Sequence, residues 1–405
     1  MRIWVVNHYA DPPEGLATRS FDLARRWVEN GNPTTLFISN FNHYNLKPVK
    51  RIPAPRLWLD EEIEGVRIVW LRAPGYRRND WRRVTNMVAF SLGAVVAGVF
   101  QRERPSVVIG VSVHPLAALA GWALSRLRRA RFFFEVTDLW PETLIEFGML
   151  PARSLRARWM HRLERFLFRH SERIVMLWRH TDQYVESQGV SRDRVVWIPH
   201  GVELNRYKDL EPYDGAAAKP FQVVFLGGFV SANSLETIID AAVELKSRGR
   251  DDVRLLLIGS GQDRDAIIER ARSLHLDNVD FPAAVPKAKI SDAMSKADAF
   301  IYGLRDIPLY RYGISLNKLA DYLASGRPII FFGRSTYDPV AEAKAGFSVP
   351  PGDPAAIADA IESLIQLSPE ERRSMGERGR AYLMDHHNIP NLAEKFLGVM
   401  RTAPQ

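Results

Sequence analysis

The 405-residue chain contains no cysteine. Disulfides, cysteine-ligated zinc and thiol nucleophiles are therefore excluded, and the composition fits a reducing compartment. Long hydrophobic runs are also missing. The longest, MVAFSLGAVVAGVF (87–100), is shorter than a bilayer span requires and reads as a packed helix. The opening MRIWVVNHYADPPEG has a brief apolar run followed at once by acidic residues, the pattern of a strand rather than of a signal peptide. No GxGxxG follows the first strand and no Walker loop occurs, so the two commonest phosphate-binding fingerprints are absent.

What is present is an ordinary folded composition, 46% hydrophobic and 25% charged, in a chain too long for one core. The charge is uneven. Residues 1–200 hold 30 Lys and Arg against 19 Asp and Glu, whereas residues 201–405 hold 25 against 28. A basic first half beside a mildly acidic second half predicts different partners for each.

Short apolar runs alternate with longer helical patterns. Strands are predicted at 2–7, 34–39, 66–71, 106–111, 131–136, 173–178 and 194–199. After KDLEPYDGAAAKP (208–220), which reads as a linker, they resume at 221–228, 253–259, 279–281, 299–304, 327–333 and 347–351. Strands separated by helices imply an α/β fold with two parallel sheets and a cleft between domains. Ligands then belong at the strand carboxyl ends.

Four stretches place polar residues there. VVFLGGFVSANSLETIIDAA (223–242) pairs Gly227 and Gly228 with a helix capped by Asn233 or Ser234. LIGSGQDRDAI repeats the arrangement with Gly259 and Gly261. Each is either a phosphate approach or a plain strand–helix turn. YGISLNKLADYLASGRPIIF (312–331) opens a helix with Ser315, Asn317 and Lys318 and carries Asp321 one turn later. A lysine at a helix start opposes the dipole and makes sense beside an anion such as a diphosphate, the alternative being a Lys–Asp surface pair. EVTDLWPETLIEFG (135–148) puts Glu135, Asp138 and Trp140 after a strand. These can hold or deprotonate a sugar hydroxyl, or Asp138 can cap a helix over 139–147. HYADPPEGLATRSFDLARRW (8–27) offers Gly15, Thr18 and Arg19 to an acceptor or phosphate, or is a loop with a normal cap. The arginine-rich 153–173 segment, with RRNDWRR and RLRRAR, predicts an anionic membrane face ahead of a merely solvated helix. Nucleic acid comes last, for no reader motif accompanies it.

PPEGLATR, FEVTDLWPETL, IPHGVE, FLGG with LETIIDA, and SLNKLADYLASGRPII together resemble the bacterial glycosyltransferases of family 4. The subgroup they resemble contains the N-acetylfucosamine-type transferases of surface polysaccharide synthesis. The resemblance implies the GT-B fold: two Rossmann-like domains with parallel sheets facing across a cleft. The expected limits are 1–205 for the acceptor domain and 206–384 for the donor domain, with a C-terminal helix at about 385–405 packing back on the first. It also implies a nucleotide-sugar donor, UDP-linked, with no cofactor and no metal. Donor-binding residues would be Gly227, Gly228, Gly259, Gly261, Ser315, Asn317, Lys318 and Asp321. Catalytic residues would be Asp138, Lys318 and Asp321; acceptor-binding residues would be Gly15, Thr18, Arg19, Glu135 and Trp140. The reaction implied is glycosyl transfer with retention to a lipid-linked or oligosaccharide acceptor, in the cytoplasm or at the inner face of the membrane.

The chain departs from the family in lacking the first glutamate of the Glu-x7-Glu pair, where Gly313 stands, and in having Asp321 for the second. It also lacks the Arg and Lys that follow the phosphate-binding glycine, which leaves Lys318 as the main cation, helped by Arg305 or Arg311. A nucleotide-sugar 2-epimerase or hydrolase of the same architecture and a non-catalytic binding module are the rival readings.

Overall fold

The computed structural model describes all residues except 14, 16, 44, 79, 286–289 and 403–405, so Glu14, Leu16 and Asn79 of the motifs above lie outside the described residues. The chain divides into one unit of Met1–Pro199 with Ile389–Gln405 and a second of His200–Asn388.

The first unit is built on an eight-stranded sheet. Its order is Val195–Trp197, Arg173–Met176, Arg131–Val136, Val107–Val111, Ile3–Val6, Thr34–Ser39, Val66–Leu71 and Trp58–Ile63. Only the last strand is antiparallel, joined to its neighbour through Glu64 and Gly65, both at positive φ as a tight hairpin requires. The parallel strands carry apolar residues on both faces because helices cover both. One face packs Phe21, Trp27 and the C-terminal helix Ile389–Arg401, with Trp27 Nε1 donating to the Ala393 carbonyl at 3.1 Å. The other face packs Phe90, Ala94 and Ala97 of helix Trp81–Phe100 and Leu124 of helix Pro115–Arg128. The expected packed helix at 87–100 thus begins six residues earlier and packs along one face only; its opposite side lies open.

The second unit has six parallel strands in the order Val279–Asp280, Val253–Ile258, Phe221–Leu226, Ala299–Gly303, Ile329–Phe332 and Gly346–Val349. Its core runs through Val223, Phe225, Leu255, Ile301 and Ile330 to Ile238 and Ile361 of the flanking helices. The opposite face is aromatic: Phe300 stacks on Tyr322 at 4.4 Å and Tyr302 on Phe331 at 4.7 Å.

Candidate active site

In the second unit, the Phe221–Leu226 strand ends in Gly227 and Gly228. Helix Asn317–Ala324 presents its first turn to this exit. Leu319, Tyr322 and Leu323 face the core, as the apolar spacing of the segment dictates. The Leu316 side chain does not cap the helix, and no acidic residue occupies the first turn. Its N–H groups and dipole therefore point a positive end at the glycine turn.

Lys318 is half-buried in that first turn. Its ammonium donates to Asn233 Oδ1 at 2.5 Å and lies 4.9 Å from the Phe225 ring centroid. A Cβ on Gly227 would stand 3.6 Å from Lys318 Nζ, so glycine keeps this approach open. Burial pushes the Lys318 ammonium down to about 7. Among the described residues no carboxylate meets it: Asp321 instead accepts from the Tyr207 hydroxyl. The alternative of a Lys–Asp surface pair therefore does not hold.

The remaining donor-side expectations divide. Ser315 Oγ accepts from the His200 N–H at 3.0 Å, and Asn317 is exposed at the helix start. Gly259 and Gly261 have a packing cause. A Cβ there would stand 1.8 Å from the Gly227 carbonyl oxygen and 2.2 Å from that of Phe229, so both let one loop pass the other. The predicted cap on the helix after Gly228 is corrected. Ser234 is the N-cap of helix Leu235–Ser247 but makes no side-chain bond, because its backbone is left-handed. Asn233 instead donates to the Gly228 carbonyl at 2.6 Å while accepting from Lys318, which ties the glycine turn to the cation. Arg305 donates to Ser231 Oγ, and Arg311 donates to the Tyr312 hydroxyl.

In the first unit three adjacent parallel strands, Arg131–Val136, Val107–Val111 and Ile3–Val6, end side by side. They deliver Asp138, His114 and His8 to one end of the sheet. Asp138 is only partly exposed, and burial pushes its carboxyl up to about 6, opposed by the Thr137 hydroxyl. The loop carrying it is anchored, since the Thr137 N–H donates to Ser112 Oγ and its carbonyl accepts from Trp178 Nε1, both at 3.1 Å. The predicted capping role fails: the short helix is Glu142–Glu146 and its N-cap is Pro141. Trp140 is half-buried with its Nε1 lacking a partner.

Arg19 and Glu135, both expected at the acceptor, are consumed by each other. Arg19 Nε donates to Glu135 Oε1 at 2.8 Å with both side chains buried, and its guanidinium also donates to the Ile198 and Pro199 carbonyls. Removing either partner would strand a buried charge, so the pair orders the strand ends. Thr18 donates to Asp22 Oδ2 at 2.7 Å. Gly15 sits where a Cβ would collide with Asp11, whose carboxylate accepts from Ala17 N–H and Asn42 Nδ2 and so fixes the loop.

The sequence reading missed the histidine pair. His8 Nδ1 and His114 Nε2 are 2.6 Å apart and both rings are buried. His114 Nδ1 accepts from the Ala117 N–H at 3.2 Å, capping helix Pro115–Arg128. That nitrogen must therefore be unprotonated. In neutral His114 the proton is on Nε2 and donates to His8 Nδ1, which leaves His8 its own proton on Nε2, an atom with no partner. Burial holds His8 well below, and His114 at about 3, against an ordinary value of 6.5, and Arg83 pushes both the same way. His8 also stacks on Phe90 at 4.2 Å. The available signal was position: each histidine follows its strand within three residues.

Each unit is an α/β domain with polar side chains at its strand carboxyl ends, the architecture of the GT-B fold, and the domain matches identify the chain as a glycosyltransferase. Residues 14–201 match the glycosyl transferase 4-like domain and residues 220–367 match glycosyl transferases group 1. The chain thus belongs to the glycosyltransferases, with a 4-like domain followed by a group 1 domain. "Probable glycosyltransferase WbjE" of Pseudomonas aeruginosa is 22% identical over 315 residues, 74% of this chain and 76% of that protein. The D-inositol 3-phosphate glycosyltransferase of Nocardia farcinica is 32% identical over 236 residues, 53% of this chain and 49% of that protein, so this second match spans about half of the relative.

Among solved structures, sucrose-phosphate synthase from Thermosynechococcus elongatus superposes with a TM-score of 0.75 at 17% identity, covering 99% of this chain and 98% of that one. An Escherichia coli trehalose-6-phosphate structure bound with UDP-2-fluoro glucose gives 0.71 at 13%, covering 100% of both. WaaG, a glycosyltransferase involved in lipopolysaccharide biosynthesis, gives 0.68 at 15%, also covering 100% of both.

Proposed function

We propose that the chain is a retaining glycosyltransferase that moves a sugar of the N-acetylamino or deoxy hexose class from a UDP-linked donor. The acceptor is a lipid-linked sugar or glycan of surface polysaccharide synthesis, met at the cytoplasmic face of the membrane. The observation that carries the reading is Lys318: a half-buried ammonium at an uncapped helix start, facing a glycine turn, with no carboxylate partner among the described residues. Such a site, where among the described residues the ammonium meets only the neutral Asn233 amide and the Phe225 ring, favours an anion. A diphosphate supplies one. As the C1–O bond breaks and the leaving diphosphate gains charge, Lys318 and the helix N–H groups stabilise it. A structural neighbour bound with UDP-2-fluoro glucose supports the donor class, and another involved in lipopolysaccharide biosynthesis supports a role in surface polysaccharide synthesis.

The test is a thermal-shift panel of UDP, GDP, dTDP and their sugars on wild type and Lys318→Ala. UDP compounds should stabilise the wild type and not the variant, because a ligand stabilises only the state that binds it. An unchanged shift in the variant would displace the site. Release of UDP and free sugar with no acceptor requirement would instead favour the epimerase or hydrolase reading.

A further inference from the structure

Helix Trp81–Phe100 is apolar on two sides. Asn86, Phe90, Ala94, Ala97 and Gly98 are buried against the first unit, and no charged residue occurs between Arg83 and Arg102. Yet the opposite stripe stays in solvent: Trp81 is 69%, Val84 55%, Leu92 63% and Phe100 72% exposed, with Val88 and Val96 between them. Their spacing of three and four residues makes one continuous ridge along 20 residues. Isolated exposed apolar residues need no explanation, but a ridge of this length does. At the far end the Trp58 ring stacks on Phe100, 6.3 Å between centroids, and widens it.

We propose that this ridge docks the protein on an anionic bilayer, lying in the interface plane. The helix is long and apolar enough to cross a membrane. A crossing is ruled out by its inner face, which is locked into the core: a Cβ on Gly98 would stand 2.6 Å from Leu124. The charges favour lipid over a second copy. Arg77, Arg78 and Arg82 are exposed at the start beside Asp80, and Arg102 and Arg104 just beyond the end on either side of Glu103, which pairs with Arg2, so both ends are net basic. A two-fold pairing of ridges would set net-basic ends against each other, whereas anionic headgroups satisfy both ends at once. Trp81 and the Arg82 guanidinium, 5.6 Å over its ring, suit the headgroup level. Phe90, on the inner face of the same helix, stacks on His8, so the docking surface backs directly onto the strand ends that carry Asp138. The inference extends the lipid-linked acceptor reading but does not depend on it.

The test is cosedimentation of the full chain with phosphatidylcholine vesicles, with and without phosphatidylglycerol, in the absence of sugar nucleotide. Wild type should bind the anionic vesicles, and binding should fall with salt. Leu92→Glu with Val96→Glu, both on the open face, should weaken it by about tenfold or more, equal to roughly 1.4 kcal/mol, while melting temperature and any UDP-induced shift stay unchanged. Equal binding by wild type and the double variant overturns the proposal. So does a wild-type dimer that ignores vesicles and is split by the same substitutions. Loss of binding on Arg158→Glu with Arg162→Glu, with the ridge variant still bound, would move the contact to the arginine-rich helix Leu155–His170 and overturn it as well.

Discussion

The Tyr322 hydroxyl holds both backbone groups of Leu226: it accepts from the Leu226 N–H at 2.8 Å and donates to the Leu226 carbonyl at 3.0 Å. One side chain thus joins the helix carrying Lys318 to the strand that leads into Gly227. Tyr322 is fully buried, stacked on Phe300, and burial raises its hydroxyl far above the usual phenol range. Tyr322→Phe keeps the stack and strands two backbone groups. A loss of about 1–3 kcal/mol in urea unfolding is expected. Transfer should fall further than stability accounts for, because Lys318 is no longer held in register with the glycine turn. Wild-type activity in a destabilised Tyr322→Phe variant would show that the two segments need not be tied.

The ammonium of Lys318 sets a second expectation. Its folded value of about 7 lies below the ordinary 10.5, so between these limits the unfolded chain binds more protons than the native one. Stability relative to Lys318→Met should therefore rise as pH increases from about 7 toward 10. A bound diphosphate reverses the balance by favouring the charged form. UDP binding near pH 8 should take up a proton, measurable by calorimetry in buffers of different ionisation enthalpy, and Lys318→Met should abolish the uptake. Identical heats across buffers for wild type would mean that the ammonium does not meet the nucleotide.

Most strands were legible because parallel strands covered on both faces read as unbroken apolar runs, as VVIGV and IIFF do. The edge strand Trp58–Ile63 was not, for one side faces solvent and WLDEEI places three acids in a row. Its signal was the Glu64–Gly65 turn. The Lys318 helix was readable from spacing, since one polar turn stood before an amphipathic pattern. Partner choice was not readable. Nothing local in the sequence says that Arg19 and Glu135, 116 residues apart, spend their charges on each other, or that Asn233 rather than Asp321 takes the lysine. The His8–His114 contact likewise depends on two strands meeting in register, Ile3 opposite Val107, which is a tertiary fact.

That contact makes its own prediction. His114 serves at once as a cap for helix Pro115–Arg128 and as the donor to His8. His114→Ala should cost about 1–3 kcal/mol, the sum of a lost cap and an orphaned buried nitrogen. His114→Asn, whose carbonyl oxygen can cap and whose amide can donate, should recover a good part of that in thermal unfolding. If Asn is no better than Ala, the pair is not a proton-ordered bond but a packing contact.

Asp138 makes the last and sharpest case, because two roles predict opposite pH behaviour. Buried and lifted to about 6, its carboxyl is largely protonated at pH 5 and ionised at pH 7.5. If the carboxylate orients or deprotonates a sugar hydroxyl, kcat/KM should drop below pH 6 along a single limb whose midpoint reports this group in the free enzyme. Asp138→Asn should lower the plateau by about a hundredfold or more and remove this acid limb together with the carboxylate, leaving only the alkaline fall that deprotonation of Lys318 sets near pH 7. Were the carboxyl only a buried structural group, Asp138→Asn would shift stability and keep the limb, which would then belong to another residue. His8 and His114 cannot supply it, since both are held neutral well below this range. An acid limb that survives the substitution therefore removes Asp138 from the chemistry, and one that vanishes with it assigns the proton to this carboxyl.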